Sequence, residues 1–161
     1  MPPIVCEIRN RPPLHAETYH AVITPASEQE NYMTHRIVSS DRAPRAIGPY
    51  AQARQCGPIL FLSGQLPIDP KSGMMPASVE AQTEQCMTNI AAIIDEAHMT
   101  MDDIVSATVL LDNIRDFDAM NAVYARFFSN DIVPSRVAFA VSNLPREALV
   151  EIEVIAMSSE T

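Results

Sequence analysis

One lysine, no tryptophan, four glycines and three cysteines are spread over 161 residues, and each scarcity narrows the chemistry. The lysine, Lys71, lies in the polar stretch "DPKSG". A Schiff-base lysine needs desolvation to lower its pKa, so Lys71 is a poor candidate. Cys6, Cys56 and Cys86 make no CxxC and no Cys/His spacing. That suits reduced thiols better than a disulfide frame or a zinc site, and Cys86, inside a helical pattern, reads as a small core residue. His15, His20 and His35 lie in or just after the N-terminal stretch, and His98 falls where a helix should end, a position that favours a cation. No GxSxG, HExxH, P-loop or GxGxxG occurs, so serine-triad hydrolysis, zinc chemistry and nucleotide binding lose their usual warrants. No apolar run approaches the roughly 18 residues of a membrane span. Positive charge is scarce too. A net charge of −9 with no Lys/Arg cluster disfavours nucleic-acid binding by bulk electrostatics. What remains for chemistry is arginine, carboxylate, tyrosine, hydroxyls and exposed backbone amides.

What is present suits one globular domain: 47% hydrophobic and 19% charged residues on a chain long enough for a real core. Residues 1–32 stand apart. They carry five prolines and no sustained period, and read as a disordered or loosely attached extension. Arg9 and Arg11 are outnumbered there by Glu7, Glu17, Glu28 and Glu30, unlike an Arg-rich, acid-poor transit peptide. The cytosol is therefore the default compartment, with a mitochondrial one left open. Met33 opens a cleaner segment, so a further expectation is that the native chain starts at Met33 and that residues 1–32 come from a misassigned upstream start. Peptides from before Met33 in the native protein would overturn it.

From Met33 the pattern sharpens. "HRIVSS" reads as a strand, and "AQARQCGPILFLSGQLPI" as two strands about a Gly57-Pro58 turn. All four glycines fall between residues 48 and 73, where loops can approach a ligand. Val79, Cys86, Ile90, Ile93, Ile94 and Ala97 recur at helical spacing behind Ser78, a plausible N-cap, with Glu80 and Glu84 near the positive end of the helix dipole. "DIVSATVLL" is a strand, Asp116 to Phe128 a second helix with Phe117, Met120, Ala125 and Phe128 apolar, and "SRVAFAVS" and "LVEIEVIAM" the last strands. The order βββαβαββ predicts an α+β layer fold with both helices on one sheet face.

"LVEIEVIAM" holds an anomaly, since Glu151 and Glu153 interrupt an apolar run. Unpaired buried carboxylates cost several kcal/mol each. Alternation puts Val150, Ile152, Val154 and Ala156 toward the helices, and Leu149, Glu151, Glu153, Ile155 and Met157 toward a partner. Arg136, behind Pro134-Ser135, can fork onto a ligand carboxylate or form a structural ion pair. Both readings stand on residues alone.

Four stretches, "AIGPYAQA", "FLSGQLPIDPKSG", "VPSRVAFAVSNLP" and "VEIEVIA", together resemble the reactive intermediate deaminase family (RidA, YjgF-like) over residues 34 to 157. The resemblance implies a chorismate-mutase-like fold with a mixed sheet, assembled as a homotrimer with ligand sites between subunits. It implies cofactor-free hydrolysis of short 2-imino acids, or their enamine tautomers, released by pyridoxal-phosphate dehydratases, to 2-keto acids and ammonia. It puts substrate binding on Arg136, the attacking water on Glu151, and pocket-lining roles on Tyr50, Ser63, Gly64, Asn121 and Phe117. Many bacterial members carry cysteine where this chain has Ala138. The family role there is attributed to the backbone carbonyl, so activity should survive. Glu153 is assigned a structural role. A simple hairpin of the last two strands would hold Arg136 and Glu151 about 17 Å apart, so either those strands are not neighbours or the site uses two chains. The rival readings are a trimeric small-carboxylate sensor without turnover and, disfavoured by charge, an endoribonuclease.

Overall fold

Strand β6, Val150–Met157, alternates strictly between buried and more exposed positions, and its buried set, Val150, Ile152, Val154 and Ala156, is the centre of the core. The computed structural model describes residues 35–129 and 132–158, which belong to one compact unit, Asn31–Thr161. The expected extension 1–32, with Cys6, His15 and His20, lies outside the described residues.

The elements are β1 (His35–Val38), β2 (Ala53–Cys56), β3 (Ile59–Leu62), α1 (Val79–Glu96), β4 (Ile104–Leu111), α2 (Phe117–Tyr124), β5 (Ser135–Ala140) and β6. The order βββαβαββ is the expected one. They form one sheet in the order β1-β2-β3-β6-β4-β5. Every neighbouring pair is antiparallel except β4 with β5, which is parallel. The fold is α+β, and the mixed sheet follows from α2 carrying the chain from β4 to β5 in the same direction.

Both helices pack on one face. Met87, Ile90, Ile93 and Ile94 of α1 and Met120 of α2 are fully buried against Leu60, Val109, Ile152 and Val154, each worth roughly 1.5–3 kcal/mol of burial. Ser78 caps α1 by accepting the N–H of Ala81 at 3.3 Å. His98 ends it at φ 60, a left-handed geometry that histidine tolerates better than most side chains. Glu80 lies in the first turn of α1, and Glu84, a turn further in, accepts from Arg126 at 2.8 Å. The buried polar residues of α1 reach loops. Gln82 accepts the N–H of Leu149 and donates to the Pro76 carbonyl. Asn89 donates to the carbonyls of Leu66 and Ile68, each at 3.0 Å. The helix therefore fixes the chain just after Gly64.

One expectation is corrected, and one alternative left open is settled. The second helix stops at Tyr124 rather than Phe128, and Ala125–Phe127 tighten into a 3₁₀ turn. Ala125 is thereby exposed, and Val123 and Tyr124 take the buried positions. The last two strands are not a hairpin, because β4 lies between β5 and β6. Among the described residues, no helix is long and apolar enough to cross a membrane.

Candidate active site

Glu151 points away from the helices, on the open face of the sheet. Its register partner is Leu110, and it lines a cleft of about 490 Å³ with Tyr50, Ser63, Gly64, Ile47 and Arg146. Burial first, and then the like charge of Glu153, raises its pKa above the ordinary glutamate value. The Gly64 loop lies directly against it. A Cβ at position 64 would fall 2.9 Å from the Glu151 carboxyl carbon and nearer still to Oε1, so only glycine lets the carboxylate lie across that backbone. Ser63 is tied elsewhere: its N–H donates to the Gln52 carbonyl at 2.9 Å and its hydroxyl to the Ala51 carbonyl at 2.7 Å. Of the expected Ser63-Gly64 backbone pair, the Gly64 N–H is the one with no acceptor among the described residues.

Tyr50 is presented by the turn at Gly48, whose φ of 117 suits only glycine. Its hydroxyl oxygen accepts the Ile47 N–H at 3.2 Å, which leaves the phenolic proton free to donate into the cleft. Beneath the cleft, the buried Cys86 thiol donates to the Gln65 carbonyl at 3.1 Å. Burial, reinforced by Glu151, pushes its pKa well up, so it stays a neutral thiol. A wider hollow of about 890 Å³ on the same face holds Arg54, Phe61 and Glu153. The smaller cleft is the chemically organised one, because it contains the perturbed carboxylate.

Arg136 lies on the other face. It is in register with the buried Ala107, and its Nη2 donates to Asn121 Oδ1 of α2 at 2.7 Å. The guanidinium carbon sits 4.6 Å from the Tyr124 ring centroid and 5.7 Å from that of Phe117. Ala138, in register with Val109, is half-buried beside it on the same face. The ion pairs among the described residues are Arg42–Asp95, Arg45–Asp41 and Arg126–Glu84. The half-buried Arg136 thus has no carboxylate partner among the described residues, and the structural ion-pair reading finds no support there.

The expected site residues therefore form two groups. Arg136, Asn121, Phe117 and Ala138 gather at the β5 edge on the helix side, and Glu151, Tyr50, Ser63 and Gly64 gather on the open side. Arg136 is in line with Val154 through Ala107. Glu151 lies three positions further along and two strands across, roughly 14 Å away between backbones and on the opposite face. Among the described residues, no group of three or more His, Cys, Asp or Glu side chains is gathered as a metal site requires. Sequence reasoning missed Tyr124. Its signal was the helical spacing of Phe117, Asn121 and Tyr124, which puts all three on one face of α2.

Comparison with known proteins agrees with this architecture. A model of the family described as "Endoribonuclease L-PSP" matches residues 40–158. The protein named "Putative regulator AldR" of Lactococcus lactis is 45% identical over 122 residues, 75% of this chain and 96% of its own. The 2-iminobutanoate/2-iminopropanoate deaminase of Escherichia coli K12 is 40% identical over 124 residues, 76% of this chain and 97% of its own. The crystal structure of Escherichia coli TdcF with bound serine superposes with a TM-score of 0.74 at 38% identity, covering 77% of this chain and 99% of that one. With matching topology, and with "GPY", "SGQ", Arg136 and Glu151 all inside the matched region, the chain belongs to the L-PSP family, that of the YjgF and RidA proteins.

Proposed function

We propose that this protein is a hydrolytic deaminase of short 2-imino acids, assembled as a homotrimer whose sites join Arg136 of one copy to Glu151 of the next. One observation carries the reading: a half-buried guanidinium without a counter-ion and a carboxylate of raised pKa lie on opposite faces of one sheet. Neither half can process an imino acid alone. One binds its carboxylate, and the other activates water.

In such a composite site the Arg136 guanidinium takes the substrate carboxylate through two parallel N–H···O bonds, assisted by the free Gly64 N–H. Glu151 accepts a proton from water as the water oxygen adds to the imine carbon. The C=N π pair moves to nitrogen, which takes that proton back from the Glu151 carboxyl and so regenerates the carboxylate. The resulting carbinolamine then loses its hydroxyl proton to the carboxylate. Glu151 passes that proton to the amine nitrogen, and the C–N bond breaks with its electron pair on nitrogen, so that ammonia leaves and a 2-keto acid remains. The Tyr50 hydroxyl, free to donate, orients the water or the departing nitrogen. Threonine and serine dehydratases release substrates of this class.

The test couples the protein to threonine dehydratase and follows keto-acid formation above the spontaneous rate. Arg136→Ala should abolish the acceleration. A variant equal to wild type would refute the assignment. A second reading, a carboxylate sensor without turnover, draws on the 45% identity to a protein named "Putative regulator AldR". It predicts saturable keto-acid binding by calorimetry with no rate enhancement. The RNA cleavage named in the family description fits a chain of net charge −9 with a single lysine poorly, since phosphate binding rests on cations.

A further inference from the structure

We infer that Tyr124 is a positioning residue that holds the Arg136 guanidinium ready for a carboxylate, and that it does so through its ring rather than its hydroxyl. The inference rests on the reading that Arg136 receives the substrate carboxylate.

Three observations carry it. The Tyr124 ring lies against the guanidinium, 4.6 Å from centroid to the central carbon, with Phe117 at 5.7 Å completing an aromatic bracket. Tyr124 is only 5% exposed, and its hydroxyl has no hydrogen-bond partner among the described residues. A buried hydroxyl left unpaired is unfavourable, and cores ordinarily remove or satisfy one. The hydroxyl is therefore not what the site uses, while the ring is placed where it acts. Finally, Asn121 engages one guanidinium nitrogen at 2.7 Å, and no protein carboxylate among the described residues occupies the others.

The physical role follows from what a free arginine loses on binding. A long side chain must give up rotamer freedom before it can fork onto a carboxylate. Cation–π contact with the ring face and the Asn121 bond restrict that freedom in advance, yet neither consumes the N–H groups that must reach the ligand. A carboxylate partner would hold the arginine more strongly, but it would compete with the substrate's own carboxylate. An aromatic ring attracts the cation without competing. Burial pushes the hydroxyl pKa up to about 12, against the smaller opposing pull of Arg136, so the ring stays neutral and never becomes a phenolate rival.

The experiment uses the intact chain, with 2-ketobutanoate as the binding probe and the dehydratase-coupled assay for turnover. Tyr124→Phe removes the orphan hydroxyl and keeps the ring. Its dissociation constant, KM and kcat should stay within about twofold of wild type. Tyr124→Leu should raise the dissociation constant and KM about tenfold with kcat nearly unchanged. Because a leucine there can also loosen the core, a graded series of fluorinated phenylalanines at position 124 gives the shape-preserving test. Each added fluorine drains the ring face of negative charge, and binding should weaken stepwise while the melting temperature holds. Binding that is indifferent to fluorination, or lost in Tyr124→Phe, would overturn the inference. Wild-type protein that binds no keto acid, or Arg136→Ala that binds it unchanged, would instead sink the reading of Arg136 itself.

Discussion

Gly64 and Glu151 behave as one unit, because the space a side chain would fill at position 64 is occupied by the Glu151 carboxylate. Gly64→Ala should leave the fold intact, since the position needs no left-handed backbone. It should displace the carboxylate and lower the deaminase rate on the order of 10²-fold, the scale of a 1 Å misplacement. A coupled assay beside a thermal melt separates the two effects. Glu151 also predicts opposite pH trends for stability and activity. Its folded pKa is raised, by burial and then by Glu153. Below the ordinary glutamate value both folded and unfolded chains hold the proton, and the contribution to stability is fully present. As pH rises through the raised value, the folded chain must ionise a carboxyl it favours neutral, so that contribution is lost. Activity rises over the same window, because the base must be ionised. Denaturant titrations across that window should show a flatter decline for Glu151→Gln than for wild type; an unchanged slope would mean Glu151 is not the group responsible. Glu153→Gln should move the midpoint of the activity profile downward, because the like charge is gone.

At the scale of elements, one glutamine positions the loop that carries Tyr50. Buried Gln52, just before β2, accepts the Ser40 N–H at 2.7 Å and donates to the Pro44 carbonyl at 2.7 Å, with longer bonds to the carbonyls of Ser40 and Ala43. Gln52→Leu strands these groups away from water and should cost about 1–3 kcal/mol. Urea unfolding checks that cost, and a raised KM would show that the loop to Tyr50 loosens with it. This staple was not legible in the sequence, since a lone glutamine beside a strand matches no pattern and its partners lie 8 to 12 residues away. Other parts were legible for physical reasons. Ile90, Ile93 and Ile94 repeat at helical spacing, and Ser78 caps the helix they belong to. The alternation in β6 announced which face is core. The end of α2 was hidden, because the switch to a tighter turn at Ala125 leaves no composition change. The insertion of β4 between β5 and β6 was hidden too: strand order is set by how distant segments share one core, and each strand alone reads the same wherever it pairs. Arg136 and Glu151 stood out only within their motifs; nothing local distinguished them from an ion pair and an edge charge.

Among the described residues, one sheet face is covered by helices and the other is left open. The open face carries Ile37, Phe61, Val137, Phe139 and Met157, all exposed large apolar groups, and the layer logic of small folds calls for something to cover it. In the proposed trimer a second copy covers that face and brings a β5 edge with Arg136 toward the cleft of Glu151. In a closed ring each chain then gives its arginine to one site and its glutamate to another. Arg136→Ala and Glu151→Gln chains should therefore be inactive alone and active together. When the two are co-expressed in equal amounts under separate tags, random assembly gives about a quarter of the sites both native groups, and the mixed oligomer should recover about that share of the wild-type rate. A site contained within one chain has no such rescue, because every chain carries one lesion. Recovery no greater than the sum of the separate variants would reject the shared site, even if sedimentation shows the mixed trimer formed.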